Sequence, residues 1–433
     1  MPSKAPFYIR NFQVLLTLIL LVKIGGYFSI VEERSINQVF KTISRTGMTF
    51  SIIYLYRKLK KLGCSNITYF DNLLPFFLYI MYLLLGFASF SYSSDVNYSV
   101  LQWIMTFESF IFVIIFVRTV SIFNFYFPDR RISYESMVAF SVLPIMLTFV
   151  IGSFIDEDTF YRGMRGGEEK RLGGWIMNPN ELGMLASIGA ATGYLLITLY
   201  QRRFWGFFMI IINIIILALT SSRSSAIGFF LVIGLLGLLS GNRRIKIAML
   251  VGIIVAVPAA LHFIIFKESG GVEEVMSMTG RLPFWTALLN EGIVKEPFFG
   301  YGFMRINYID YFQGLYTYPG RMTHNTFMQV LMNLGFVGFF FVFWQVASFL
   351  TSFIKDKEVE NRSFIIAIYI PIIINSFTEF GIFGDANYGI LFYQILIMLI
   401  VVKQKERLTK VDKIKNRIFR RSLDRWSLSQ IEN

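Results

Sequence analysis

The sequence predicts an all-α polytopic membrane protein, and three observations support this fold class. Hydrophobic residues make up 55% of the 433 residues and charged residues only 16%, with a mean hydropathy of +0.56. A soluble globule of this size needs more polar surface than such a composition provides. The apolar residues also fall into runs of about 20, the length that an α-helix needs to cross the bilayer core.

The apolar runs predict about twelve transmembrane helices, with one large extracytoplasmic loop between the ninth and the tenth. The runs cover residues 12–30, 40–56, 71–92, 98–122, 133–155, 174–200, 204–220, 224–240, 247–266, 325–354, 363–381 and 386–402. The first run contains Lys23 and lacks a small-residue cleavage site, so we expect it to remain as a helix. Residues 1–402 therefore form the predicted transmembrane domain.

The distribution of positive charge predicts the orientation in the membrane. With both termini in the cytoplasm, the inner segments hold 27 of the 41 Lys and Arg residues and the outer segments hold 13. Cytoplasmic loops characteristically carry such an excess. The basic tail, residues 403–433, is accordingly assigned to the cytoplasm and to anionic lipid headgroups rather than to nucleic acid. A single cysteine, Cys64, excludes an internal disulfide.

The first five helices consist mostly of Leu, Ile, Phe and Tyr and are interpreted as scaffold. The loop 156–173 mixes charges with glycines, which predicts a mobile segment on the outer face. The sixth helix then opens with Asn178-Pro179-Asn180. A cap with proline in the first turn explains this motif structurally, whereas two amides at the edge of a span are also typical of a functional site.

The seventh and eighth helices meet at Ser222 and Arg223 almost without a loop. One interpretation is an arginine that extends to the lipid headgroups. The other is an anion site, because the start of a helix offers unpaired N–H groups and the positive end of its dipole. The sequence alone leaves both open.

The long polar interval 267–324 is the predicted outer loop. Within it, residues 281–291 predict a short amphipathic helix that Gly292 ends. Arg281 begins that helix, which is a second position favourable for an anion. Three apolar side chains share the helix face predicted to lie on the membrane surface: Leu282, Trp285 and Leu289.

His324 follows this loop, and Thr323 is the predicted N-cap of the tenth helix. A histidine here is either a simple surface residue or a catalytic base. Three arginines are predicted on the same membrane face as this histidine: Arg223, Arg281 and Arg321. Glu379, near the outer end of the eleventh helix, adds a carboxylate that either pairs with an arginine or orients the histidine.

These residue types suit one kind of chemistry. Arginines and helix N-termini bind a pyrophosphate, and a neutral histidine is a general base that works near pH 7. With two histidines and no His-Glu-x-x-His motif, the sequence predicts no metal site and no cofactor. It also contains no Gly-x-Ser-x-Gly elbow of a serine hydrolase. We therefore predict metal-free transfer from a lipid-linked pyrophosphate donor.

The polar motifs occur in a distinctive order along the chain. They are Asn178-Pro179-Asn180 at the start of a span, Ser222-Arg223 at a hairpin tip, Gly280-Arg281 with Trp285, Gly300 with Gly302, and His324-Asn325 followed by Gly335 and Gly338. In this combination the sequence resembles the O-antigen ligase and polymerase superfamily. The resemblance covers roughly residues 170–385.

The resemblance implies glycosyl transfer from an undecaprenyl-pyrophosphate-linked oligosaccharide to a saccharide acceptor. It places the protein in the bacterial cytoplasmic (inner) membrane, with the site on the periplasmic or extracellular face. It implies that His324 is the base on the acceptor hydroxyl and that Arg223 and Arg281 bind the diphosphate, and we expect Arg321 to join them. Six residues are expected to support these groups: Asn178, Asn180, Ser222, Trp285, Asn325 and Glu379.

Three functions remain open on the sequence. A polymerase, with a chain-length regulator as a partner, is preferred because the tyrosines between residues 308 and 318 suit a saccharide acceptor. A ligase would pass the finished glycan to lipid A core or another final acceptor. A flippase or other transporter is disfavoured, because it would carry charge in a central cavity, whereas most charge here lies at predicted helix ends.

Overall fold

The computed structural model describes residues 9, 11–61, 68–164, 169–240, 243–244, 246–247, 251, 281–303, 323–355, 359–379 and 381–404. Nearly all of the predicted ninth helix, most of the tail and Arg321 lie outside the described residues. So do Gly280 and the tyrosines between residues 308 and 318.

α-Helices make up most of the described chain. They are α1 (Phe12–Gly25), α2 (Arg34–Lys61), α3 (Leu74–Ala88), α4 (Val96–Tyr126), α5 (Tyr134–Ile155), α6 (Glu157–Phe160), α7 (Pro179–Thr198), α8 (Arg203–Thr220), α9 (Arg223–Leu239), α10 (Arg281–Ala287), α11 (Ile293–Lys295), α12 (Thr326–Lys355), α13 (Val359–Ser376) and α14 (Tyr388–Val401). Short 3₁₀ turns follow α3 at Ser89–Ser91 and precede α5 at Pro128–Arg130.

The helices are those of a membrane-integral protein. Among the described residues, six are long and apolar enough to cross a bilayer: α3 and α5 with their 3₁₀ turns, α4, α7, α8 and α12. Shorter apolar helices of 10–17 residues are α1, α9, α13 and α14. The predicted span 40–56 lies inside α2, a longer and less apolar helix that belongs to neither group. The full count of twelve spans stays a prediction.

Helix α7 is the centre of the bundle and carries one edge of the site at its start. It is largely buried and packs against α5, α8, α9 and α13. Small residues allow this close packing. A Cβ on Gly189 would lie 2.4 Å from the Asn213 side chain of α8, and one on Gly183 would lie 2.7 Å from the Ser225 hydroxyl of α9.

Two short antiparallel ribbons accompany the helices, and the described chain remains predominantly α-helical, as expected. Strand β1 (Thr68–Phe70) pairs with β4 (Val402–Gln404), with Thr68 opposite Gln404. Strand β2 (Tyr161–Met164) pairs with β3 (Glu169–Leu172). The predicted mobile loop 156–173 therefore contains α6 and an ordered hairpin. Asp156 caps α6 by accepting a hydrogen bond from Thr159 N at 3.2 Å.

The tenth predicted helix is broken where a continuous helix was expected. Within α12, Gly335 has φ of 61° and ψ of −162°, which interrupts the helical ladder. The carbonyls of Met332 and Asn333 instead accept hydrogen bonds from Tyr301 N at 3.1 Å and Gly302 N at 2.8 Å. Backbone groups at membrane depth need such partners, because lipid supplies none. Tyr301 and Gly302, which precede α12 in the chain, thus provide the hydrogen-bond donors that the break removes.

The predicted amphipathic helix is described from Arg281 onward, and it does not end at Gly292. A π-helical turn, Leu288–Gly292, carries it on into α11. Its buried face is formed by Phe284 and Leu288, which pack with two residues of neighbouring segments, Tyr301 and Met332.

The three residues of the predicted membrane-facing side differ in exposure. Leu282 and Leu289 are 48% and 41% exposed. Trp285 is half-buried and donates its Nε1–H to the carbonyl of Thr323 at 2.7 Å. It therefore braces the residue before His324, whereas the two leucines are exposed.

Candidate functional site

The predicted site residues that the structure describes gather at one end of the helix bundle, called the site end below. The starts of α7, α9, α10 and α12 meet there with the β2–β3 hairpin and the turn after α13. Helix starts and polar turns supply the side chains, while the apolar helix interiors hold them in place.

Glu379 is the hub of this site. Its Oε2 lies 2.7 Å from Nδ1 of His324. Its Oε1 accepts a hydrogen bond from Asn180 Nδ2 at 2.7 Å and lies 3.2 Å from Nη2 of Arg281. The carboxylate side chain is only 6% exposed. One buried acid thus joins three segments that are distant in the sequence.

The neighbours of Glu379 keep it ionised. Burial acts to raise the pKa of the carboxyl. The charge and hydrogen bond of His324, the charge of Arg281 and the amide of Asn180 outweigh burial and hold this pKa below its ordinary value. Glu379 was expected inside the end of a helix, but α13 ends at Ser376 and the acid lies in the following turn. The turn is what lets its side chain reach across to α12.

His324 has an unusual backbone conformation. Its φ is 51°, in the left-handed region that few residues other than glycine adopt. Its side chain is 20% exposed. Strained backbone of this kind concentrates at functional sites. The carboxylate of Glu379 holds Nδ1 and thereby fixes the orientation of the imidazole ring.

Asn325, and not Thr323 as predicted, caps α12. Its Oδ1 accepts hydrogen bonds from Phe327 N at 2.9 Å and Met328 N at 3.0 Å. The Thr323 hydroxyl instead donates to the Asn325 carbonyl at 2.8 Å. The left-handed turn at His324 separates Thr323 from the helix, so the cap falls to the residue after it.

Arg281 is held at two points by the turn after α13. Its Nη1 donates to the carbonyl of Thr378 at 2.7 Å, and its Nη2 pairs with Glu379. Its side chain is 16% exposed. A guanidinium carries five N–H donors. The two contacts use one N–H of each terminal nitrogen of this guanidinium.

Asn178 and Asn180 have different roles. Asn178 caps α7 as predicted, accepting from Asn180 N at 2.9 Å, with Pro179 in the first turn. Asn180 donates a hydrogen bond from its side-chain amide to the carboxylate of Glu379. The amide motif therefore serves both as a cap and as part of the site.

Ser222 and Arg223 lie beside the start of α7. Ser222 caps α9 by accepting from Ser225 N at 3.4 Å. Ser225 in turn donates its hydroxyl to the carbonyl of Asn180 at 3.1 Å. Arg223, the first residue of α9, is half-buried. The segment of α9 that begins with Arg223 is thus linked to Glu379 through the hydrogen bonds of Ser225 and Asn180.

Arg171 is a residue of the site that the sequence did not single out. From strand β3 it donates to the carbonyls of Thr220 at 2.8 Å and Ser221 at 3.2 Å. It also donates to Oδ1 of Asn180 at 3.0 Å. Arg171 therefore fixes the α8–α9 turn relative to α7, two residues before Arg223. In the sequence it is one charge among several in a polar loop.

The described residues contain no group of three or more His, Cys, Asp or Glu side chains that could hold a metal ion. What they do contain is a carboxylate, an imidazole and arginines at the starts of helices. This set can accept a proton and neutralise a phosphate.

Residues 208–343 match the family model described as O-antigen ligase. None of the curated proteins compared with the chain matches it. The matched segment includes Arg223, Arg281 and His324, begins after Asn180 and ends before Glu379. For this segment the expected resemblance to the O-antigen ligase and polymerase superfamily is confirmed. The match supports a membrane glycosyltransferase of the ligase or polymerase type.

Proposed function

We propose that this chain, which carries the O-antigen ligase segment at residues 208–343, is a polysaccharide polymerase of the bacterial inner membrane. It transfers glycan from an undecaprenyl-pyrophosphate-linked donor to a saccharide acceptor on the outer face, without a metal. The observation that carries this proposal is the Glu379–His324 pair, at 2.7 Å, with Arg281 on the same carboxylate.

The pair suits general-base catalysis. In the neutral form of His324, Nδ1–H donates to Glu379 and the Nε2 lone pair takes the proton of an acceptor hydroxyl; the imidazolium that results is paired with the Glu379 carboxylate. The acceptor oxygen then forms a bond to the anomeric carbon of the donor. The bond from that carbon to the pyrophosphate oxygen breaks, and undecaprenyl pyrophosphate leaves with the electron pair. Such a single displacement inverts the anomeric carbon.

Arginines suit the leaving group. Negative charge grows on the pyrophosphate as the bond breaks, and fixed guanidinium donors stabilise it more than they stabilise the ground state. Arg281 is preorganised for this task by Thr378 and Glu379. Arg223 at the start of α9 is proposed as a second contact. Arg321, outside the described residues, is proposed as a third.

A ligase is the second candidate, and the description of the matching family favours it. Both reactions need the same base and the same diphosphate contacts, so the described geometry serves either. The tyrosines between residues 308 and 318 are the reason to prefer a saccharide acceptor, and hence a polymerase.

A transfer assay distinguishes the two. The purified protein in nanodiscs receives undecaprenyl-pyrophosphate-linked repeat unit in the presence of EDTA, and products are resolved on a gel. A ladder of increasing length that disappears in His324→Ala supports the polymerase. Transfer only after a second lipid acceptor is added makes the protein a ligase, and inertness with both substrates contradicts glycosyl transfer.

A further inference from the structure

A cleft of about 580 Å³ opens beside the β2–β3 hairpin at the site end. Its volume lies within the range of roughly 300–1,000 Å³ found for small-molecule sites. Five side chains of chemical interest line it: Asp158, Tyr161, Arg162, Trp175 and Asn178. None of the steps described above uses the first four.

The lining has the composition of a sugar site. Tyr161 and Trp175 are half-buried, so each offers part of a ring against which the C–H face of a pyranose can stack. Asp158 and Arg162 are exposed. Together with the carboxamide of Asn178 they provide planar donors and acceptors for ring hydroxyls.

The wall of the cleft is fixed by close backbone packing. Gly174 has φ of +59°, and a Cβ there would collide with the carbonyl oxygen of Thr159. The N–H of Gly173 donates to Phe160 O at 2.8 Å, and the N–H of Met177 donates to Gly173 O at 3.0 Å. Trp175 and Asn178 are therefore held in place before any ligand arrives, which reduces the ordering cost of binding.

Trp175 supplies an independent observation. Its Nε1–H is buried and has no hydrogen-bond partner among the described residues. Buried donors in proteins are nearly always satisfied. The residue that forms this wall of the cleft thus contains a polar group that the described residues leave unsatisfied.

The cleft is connected to the proposed reaction centre. Asn178 lines the cleft and accepts from Asn180 N at 2.9 Å. The side chain of Asn180 donates to Glu379, which holds His324. A saccharide in the cleft thus lies next to the segment that positions the base.

We propose that this cleft binds the glycan chain of the acceptor, with sugar rings against Trp175 and Tyr161. This inference rests on the proposed glycosyl transfer. The donor is anchored by its pyrophosphate, whereas the reacting end of the acceptor carries no such charge. An acceptor therefore needs a site along its own chain, and the cleft has the chemistry for one.

The first test measures binding without any reaction. The probe is the free oligosaccharide released by mild acid from the host's lipid-linked glycan, titrated into the full-length protein in nanodiscs. We expect Trp175→Ala to bind it about tenfold more weakly than wild type. Trp344→Ala is the matched control, since this half-exposed tryptophan lies on α12 away from the cleft. Arg162→Ala is a second cleft variant. Because it changes only an exposed side chain, it should fold even if Trp175→Ala does not.

The second test measures transfer. Trp175→Ala and Arg162→Ala are expected to raise the KM for acceptor while leaving the KM for donor and kcat at saturating acceptor unchanged. A raised KM for donor alone would overturn the proposal. So would equal KM values for acceptor in Trp175→Ala and Trp344→Ala. Wild-type protein that binds the oligosaccharide in the cleft yet transfers nothing refutes the proposed function and not the cleft. Transfer by wild type with no binding defect in either cleft variant refutes the cleft alone.

Discussion

The ion pair between Lys23 and Glu108 and the cluster around Glu379 are both buried, but they are built in opposite ways. Lys23 Nζ lies 2.5 and 2.8 Å from the two carboxylate oxygens of Glu108. It also lies 3.2 Å from the Thr49 hydroxyl and 3.3 Å from the Arg45 carbonyl. Here the cation is fully enclosed, with 0% exposure, and the carboxylate is 16% exposed.

In the cluster around Glu379 the carboxylate is the enclosed partner and the cations are the more exposed ones. Glu379 is 6% exposed, whereas His324 and Arg281 are 20% and 16% exposed. An ammonium group has three N–H donors, and the acceptors around Lys23 account for all of them. All donors of the enclosed Lys23 are therefore used by the protein itself. The enclosed Glu379 instead holds His324 and Arg281 where both are partly exposed.

The largest expected effect follows from removing the imidazole of His324. His324→Ala should lower kcat by about 10²–10⁴-fold, because a general base contributes that much to proton transfer. Fluorescence-detected size exclusion should show folded, inserted protein. His262→Ala, which changes the other histidine of the chain, is the matched control and should retain activity.

The two buried acids provide the sharpest contrast. Glu379→Gln should lower kcat by about 100-fold, because a misplaced catalytic group costs that much. Glu108→Gln should leave kcat of the folded protein near wild type. It should instead lower stability by about 3 kcal/mol, since it leaves a buried lysine unpaired. Thermal unfolding and transfer rates on the same preparations test both, and similar kcat values for the two variants would refute the contrast.

Substitutions of Arg281 test the proposed contact between its guanidinium and the donor diphosphate. Arg281→Ala should weaken donor binding by about 1.5–3 kcal/mol, the contribution of a charged hydrogen bond. Arg281→Lys should recover only part of this loss, because lysine lacks the planar fork that holds Thr378 and Glu379 while contacting a diphosphate. Titration with the lipid-linked donor measures the affinity. Full recovery by lysine would contradict the proposed contact.

A smaller effect is expected for Arg171, which touches no proposed substrate. Arg171→Ala removes hydrogen bonds that each contribute about 0.5–1.5 kcal/mol. It should raise the KM for donor more than it lowers kcat, because the α8–α9 turn carries Arg223. Lys170→Ala is the control, since Lys170 pairs with the exposed Glu157. Equal KM values for these two variants would show that Arg171 does not position Arg223.

The smallest expected effect is a pH dependence of stability. The pKa of Glu379 is lowered in the folded protein, so its contribution is fully present above its unfolded pKa, about 4.3. That contribution is lost as pH falls through the lower folded value. The Tm difference between wild type and Glu379→Gln should therefore shrink below about pH 4.3. A difference that is constant across this range would contradict the ionised state.

Sequence reasoning singled out most residues of the cluster around Glu379 because helix starts carry local signals. Asn178-Pro179 and Ser222 are caps that short-range rules identify, and Glu379 was expected on the same face as His324. The apolar runs also gave most helix bounds to within a few residues.

Features that depend on distant contacts were missed. The break at Gly335 could not be seen, because glycine inside an apolar run also fits a continuous helix. It requires the connector near Tyr301 and Gly302 to satisfy the broken ladder. Arg171 acquires its role from a turn that lies 49 residues further along the chain. Neither relation leaves a periodic pattern in the sequence.

The most direct test of the central claim is chemical rescue of His324→Ala by imidazole in the transfer assay. If His324 is the base, the rate should rise with imidazole concentration in this variant and stay unchanged in Arg281→Ala. A small external base replaces a missing proton acceptor but not a missing anion contact. Near-normal transfer by His324→Ala without imidazole, or an inactive, folded variant that no concentration of imidazole restores, would contradict the account.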